Sequence, residues 1–173
     1  MDPFEDCLAK GRLKKTEPDP AKTAQELRAS LDELERARLR FAGGNWAEAS
    51  TQGYFAIYRA ARGALLFRGY RDTNLYGLCA GLKRLYADTE EIPAETIDIL
   101  RDAKDIKDVI YEGGSSSRHE SRQVLLAAQL FVHRVLKALA LPEFLPESVE
   151  FTLPDVNERP RGRPPFRRDT YDR

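Results

Sequence analysis

Two histidines, two cysteines and a scatter of tyrosines, lysines and arginines are the side chains of this chain that could do chemistry. His119 and His133 lie about four helical turns apart, too far to share one metal ion, so no metal site is expected. His119 is expected in the exposed first turn of a helix. Cys7 and Cys79 are too few and too distant for a disulfide framework or a structural zinc site. They read as reduced thiols, with Cys79 packed in a helix. The GGSSS run from Gly113 to Ser117 lacks the lysine and spacing of a P-loop and reads as a connector. Tyr54 and Tyr58 are one turn apart and share a side of a helix, where aromatic rings pack in the core and their hydroxyls seek partners. No cofactor site is expected from these residues.

The elements that would position them are helical. The stretch from Gly44 to Arg71 places Trp46, Ala49, Phe55, Ile57, Tyr58, Ala61, Ala64 and Leu65 at three- and four-residue intervals, the signature of one long helix. Its alanines (Ala47, Ala49, Ala56, Ala60, Ala61, Ala64) permit close approach of neighbours, which puts this helix at the centre of a bundle. Before it, Asp19-Pro20 is a helix start, and Ala24, Leu27, Leu31, Leu34 and Phe41 line one side of a helix stopped by Gly43-Gly44. After it, helices are expected at Thr73–Ala87, at Pro93–Tyr111 with Ile97, Leu100, Ala103, Ile106, Val109 and Ile110 inward, and, after the flexible break EGGSSS, up to Leu139. Ser117 and Glu120 form a capping box for the last of these. No strand alternation stands out. The fold class is therefore all-α, an up-and-down bundle of about five helices.

Composition sets the outer bounds. With 173 residues, 42% hydrophobic and 32% charged, the chain supports one domain with a tail. The formal net charge is zero, so any nucleic acid or anionic membrane would have to be met by a local patch. No apolar run approaches the roughly 20 residues needed to span a bilayer, and the start lacks a signal peptide's hydrophobic region. A cytoplasmic protein without membrane association is expected. The organisation reads as a leader over residues 1–18, a bundle over 19–140 and a tail over 141–173. Pro142, Pro146, Pro154, Pro160, Pro164 and Pro165 make that tail extended, and Phe144, Leu145, Val149, Phe151 and Leu153 could fasten its first part to the bundle.

The order of these features resembles the HEPN domain, in its prokaryotic single-domain form associated with nucleotidyltransferases. The central helix of that family carries a pattern like A-Y-Y-A-x-[FY]-H-A-A-R-A-L-L, and Gly53 to Leu66 read GYFAIYRAARGALL. The opening FEDCLAKGRLKKTEPDP and the segment NWAEAS are similar to the same proteins. Many HEPN proteins are metal-independent ribonucleases that use an arginine followed four to six residues later by a histidine. A base activates the ribose 2′-hydroxyl and a cation stabilises the transition state. Here His119 has Glu112, Gly113 and Gly114 at the upstream positions, and His133 has Leu126, Ala127 and Ala128. The motif is absent. Arg59 stands where the family has a helix-two histidine, and Lys107, followed by Asp108 and Tyr111, stands for the arginine of its R-x-x-A-D-Y segment. Lysine keeps the charge but loses the planar fork.

The resemblance thus implies a non-catalytic homodimer acting with a partner, such as a minimal nucleotidyltransferase, in a toxin–antitoxin or defence module. Tyr54, Tyr58, Arg59, Lys104, Lys107, Asp108 and Tyr111 would line the groove between subunits, where two-fold symmetry doubles each charge and a nucleotide or RNA would bind. One alternative is an RNA-cleaving toxin with a diverged site around Lys107 and Tyr111. Another uses the tail, where PRGRP at Pro160–Pro164 is similar to an AT-hook. Arg161, Gly162 and Arg163 would lie in the minor groove of A·T-rich DNA, and Arg159, Arg167 and Arg168 would meet phosphates.

Overall fold

The computed structural model describes residues 1–144. The chain runs α1 (Pro3–Ala9), β1 (Leu13–Lys15), α2 (Pro20–Ala42), α3 (Trp46–Phe67), β2 (Tyr70–Asp72), α4 (Leu75–Leu82), α5 (Glu95–Tyr111) and α6 (Arg118–Leu139). A π-helical turn over Lys83–Ala87 extends α4, and a short 3-10 turn over Pro142–Phe144 follows α6. The architecture is an all-α bundle with α3 at its centre, packed against α2, α6, α5 and α4.

The expected helix starts hold in atomic detail. Asp19 Oδ1 accepts from the Lys22 amide at 3.0 Å, with Pro20 in the first turn. Ser117 and Glu120 form both hydrogen bonds of the capping box. Each box partner satisfies a donor that the helix leaves free, so Ser117→Ala should lower stability by about 1 kcal/mol, read as a fall in the urea midpoint.

The alanine stripe of α3 does what close packing requires. Ala49, Ala56, Ala60, Ala61 and Ala64 are fully buried. Where α2 crosses, Ser30 Oγ donates to the Ala56 carbonyl at 2.7 Å, a contact that a larger side chain at the crossing would prevent. Ile57, Leu65, Leu78, Leu100, Phe131, Val135 and Leu136 fill the rest of one core around this helix.

Several boundaries differ from the sequence reading. The central helix ends at Phe67 rather than Arg71, because Gly69 takes a left-handed φ of +77° and turns the chain out of the helix. Residues 70–72 then pair antiparallel with β1, Leu13 opposite Asp72 and Lys15 opposite Tyr70. This two-stranded ribbon went unrecognised because three-residue strands are too short to show alternation. The leader is folded onto the bundle: Phe4 meets the Tyr70 ring edge-on at 5.4 Å, and Phe4, Cys7 and Leu13 are buried in the core. In α5, Ile97, Leu100 and Ala103 face inward as expected, but Val109 is 54% exposed and Ile106 and Ile110 are only partly covered. Val109 lies two turns beyond Asp102 and one turn beyond Asp105, on the stripe opposite the core residues, so the apolar pattern overstated the buried arc. Phe144, expected to fasten the tail, is buried with the Arg28 guanidinium over its ring at 5.6 Å. Leu145, Val149, Phe151 and Leu153 lie outside the described residues.

Candidate functional site

Tyr54 sits at the middle of α3 with its ring buried, and Tyr58 stacks on it one turn later, centroids 5.9 Å apart and planes 23° from parallel. Across from them, α5 brings Lys107 over the Tyr54 ring at 5.3 Å and over the Tyr111 ring at 4.8 Å. The ammonium is thus held between two π faces, whose negative quadrupoles attract it. Asp108 fixes it further, accepting from Lys107 at 2.9 Å and also pairing with Lys104. Hydrogen bonds from Lys104 and Lys107 hold the Asp108 carboxyl below the usual carboxylate range, so two ammonium groups face one carboxylate at neutral pH.

Burial pushes the Tyr54 hydroxyl up to about 12, with Tyr58 and Asp108 adding to the shift. Tyr58 is raised as well, again chiefly by burial. Both hydroxyls stay neutral near pH 7 and are able to donate hydrogen bonds.

Of the residues named from the sequence, Tyr54, Tyr58, Lys104, Lys107, Asp108 and Tyr111 are gathered at this α3–α5 face. Arg59 is not; one residue further round α3, it turns to α2 and pairs with Glu26 at 3.2 Å. The sequence reading missed the network that flanks the tyrosines. Arg62 reaches Asp72 of β2 at 3.2 Å, lies 3.9 Å from Glu26 and stands over the Tyr58 ring at 5.6 Å. Arg59 and Arg62, one turn apart, were the only available sign of it; Glu26 and Asp72 arrive from other elements.

His119 is half-buried in the first turn of α6, and His133 is exposed two-thirds of the way along it. Cys7 and Cys79 are both free and buried, and burial raises both thiols, which keeps them protonated. Among the described residues no group of three His, Cys, Asp or Glu side chains is placed to hold a metal ion, and no helix is long and apolar enough to cross a membrane. The arginines proposed for DNA (Arg159, Arg161, Arg163, Arg167 and Arg168, with Gly162) lie outside the described residues. Compared with known proteins, the chain matches no family model and no curated protein.

Proposed function

We propose that this chain is a non-catalytic, HEPN-like interaction protein that works as a homodimer. It holds a nucleotide or RNA phosphate at the Lys104–Lys107 face and docks a separately encoded partner, such as a minimal nucleotidyltransferase, in a toxin–antitoxin or defence module. The observation that carries this reading is the placement of Lys107: an ammonium fixed by two aromatic rings and a carboxylate is pre-organised to meet an anion without ordering a free side chain. Exposed Leu126 and Leu130, one turn apart on α6, supply apolar surface that a second copy would cover. Tyr54, neutral near pH 7 beside Lys107, suits holding a phosphate through a donated hydrogen bond.

The test combines light scattering with titration of ATP and of a short uridine-rich RNA. The expected result is a particle of twice the chain mass whose affinity falls about tenfold in Lys107→Ala, the size of a lost charge-assisted contact. A monomer that binds neither probe at millimolar concentration would overturn the reading. RNA cleavage that disappears in Lys107→Ala would replace it with the nuclease alternative.

A further inference from the structure

The β1–β2 ribbon places two cations directly opposite each other. Its register sets Lys14 against Arg71. Leu13 and Asp72, the next pair along, are buried, so Lys14 and Arg71 point to the other side, and both are exposed. The ladder runs on by one more pair: the Thr73 amide donates to the Arg12 carbonyl at 3.0 Å. Arg12 therefore shares the solvent face with Lys14, two residues and about 6.6 Å away along the strand. Like charges facing each other across an antiparallel pair weaken it. The ribbon carries that cost on a surface where neutral side chains would do.

Nothing nearby neutralises this face. Residues 10–16 hold Lys10, Arg12, Lys14 and Lys15 and no carboxylate, and residues 68–71 hold Arg68 and Arg71 and none. Lys10 pairs with Asp6, and Arg68 pairs with Glu91. Arg12, Lys14, Lys15 and Arg71 make no ion pair with any described residue. Asp72, the ribbon's own carboxylate, is buried on the opposite face and held by Arg62 at 3.2 Å. Glu17 comes only after the end of β1. One aromatic ring adjoins the cations: Tyr76, in the first turn of α4, is 51% exposed and has the Arg12 guanidinium over its ring at 5.3 Å. Stacking orients the guanidinium plane and leaves its edge able to donate.

We infer that the solvent face of the β1–β2 ribbon binds the phosphate backbone of a single-stranded nucleic acid through Arg12, Lys14 and Arg71, with the Tyr76 ring offered to a base. Unpaired cations on one extended face meet successive phosphates, and an exposed ring beside them supplies the stacking surface that a single strand, with its bases unpaired, can use. A chain with no net charge reaches such a partner only through a local concentration of this kind. The inference stands apart from the Lys104–Lys107 face, because none of its residues belongs to that cluster.

The experiment follows the fluorescence anisotropy of a labelled, short uridine-rich RNA titrated with the full chain, at salt concentrations from about 50 to 200 mM. In a chain carrying Arg12→Gln, Lys14→Gln and Arg71→Gln, affinity at the lowest salt should fall about tenfold. The slope of log affinity against log salt should become shallower by about 2, the share of three phosphate contacts to a single strand. The same loss is expected when Lys107→Ala is already present, which separates this face from the α3–α5 cluster. Arg71→Glu should weaken binding too, although it places opposite charges across the ribbon and so cannot loosen it; an unchanged urea midpoint checks this. Tyr76→Ala should bind about fivefold more weakly at an unchanged salt slope. Equal affinity and slope in the wild type and the triple variant overturn the inference, as does full affinity in Tyr76→Ala. Binding to phosphatidylserine vesicles without binding of the RNA overturns it as well, and assigns the face to a membrane surface.

Discussion

Gly77→Ala is expected to lower the unfolding free energy by about 3 kcal/mol, far more than a surface glycine-to-alanine change in a helix. A methyl group at Gly77 would stand 2.1 Å from the Arg12 carbonyl oxygen and 2.7 Å from its carbon, backbone atoms that no rotamer change can move aside. Arg12 is also held from both sides: its amide donates to the Cys7 carbonyl at 2.8 Å, and its carbonyl accepts from the Thr73 amide at 3.0 Å. The first turn of α4 must therefore retreat from the leader, or the leader must leave the bundle with Phe4, Cys7 and Leu13. Alanine's better helix propensity offsets about 1 kcal/mol at most. Urea denaturation reads the loss as a lower midpoint at unchanged slope. A midpoint within error of the wild type would show that the leader is not seated against α4.

The other large effect is at Tyr86, the largest fully buried side chain among the described residues. Its hydroxyl donates to the Ala64 carbonyl at 2.6 Å, and the Arg68 guanidinium lies over its ring at 4.8 Å. Ala64 belongs to the last turn of α3, where carbonyls have no helical partner, so Tyr86 both fills space and caps the central helix. Tyr86→Ala should cost about 4 kcal/mol through the cavity it leaves. Tyr86→Phe keeps the ring and should cost about 1.5 kcal/mol, the penalty for an unsatisfied buried acceptor. Thermal or urea unfolding separates the two. Equal losses in both variants would mean that the hydroxyl, not the volume, carries the effect.

The two positions share a cause that bears on what can be read from a sequence. Gly77 and Tyr86 belong to α4 and its π-helical extension, and each matters because of a partner distant along the chain, Arg12 in one case and Ala64 in the other. In the π turn, the Asp88 amide reaches the Lys83 carbonyl, which widens the helix by one residue per turn. Nothing in the run KRLYA signals that widening.

What the amino-acid order determined alone is local and periodic. Apolar spacing marked the long helices, the alanines marked α3 as the close-packed centre, and Asp19-Pro20 and Ser117-Glu120 marked two starts, because each of these signals acts within one or two helical turns. The pairing of Tyr54 and Tyr58 was legible for the same reason. The tertiary structure alone decided that Lys107 lies between the rings of Tyr54 and Tyr111, that Arg59 turns away to Glu26, that β1 finds β2 and that Asp102 is covered. Those outcomes depend on how whole helices cross and on which side of each is left over, and helix crossing is set by the summed packing of many side chains rather than by any short run of them.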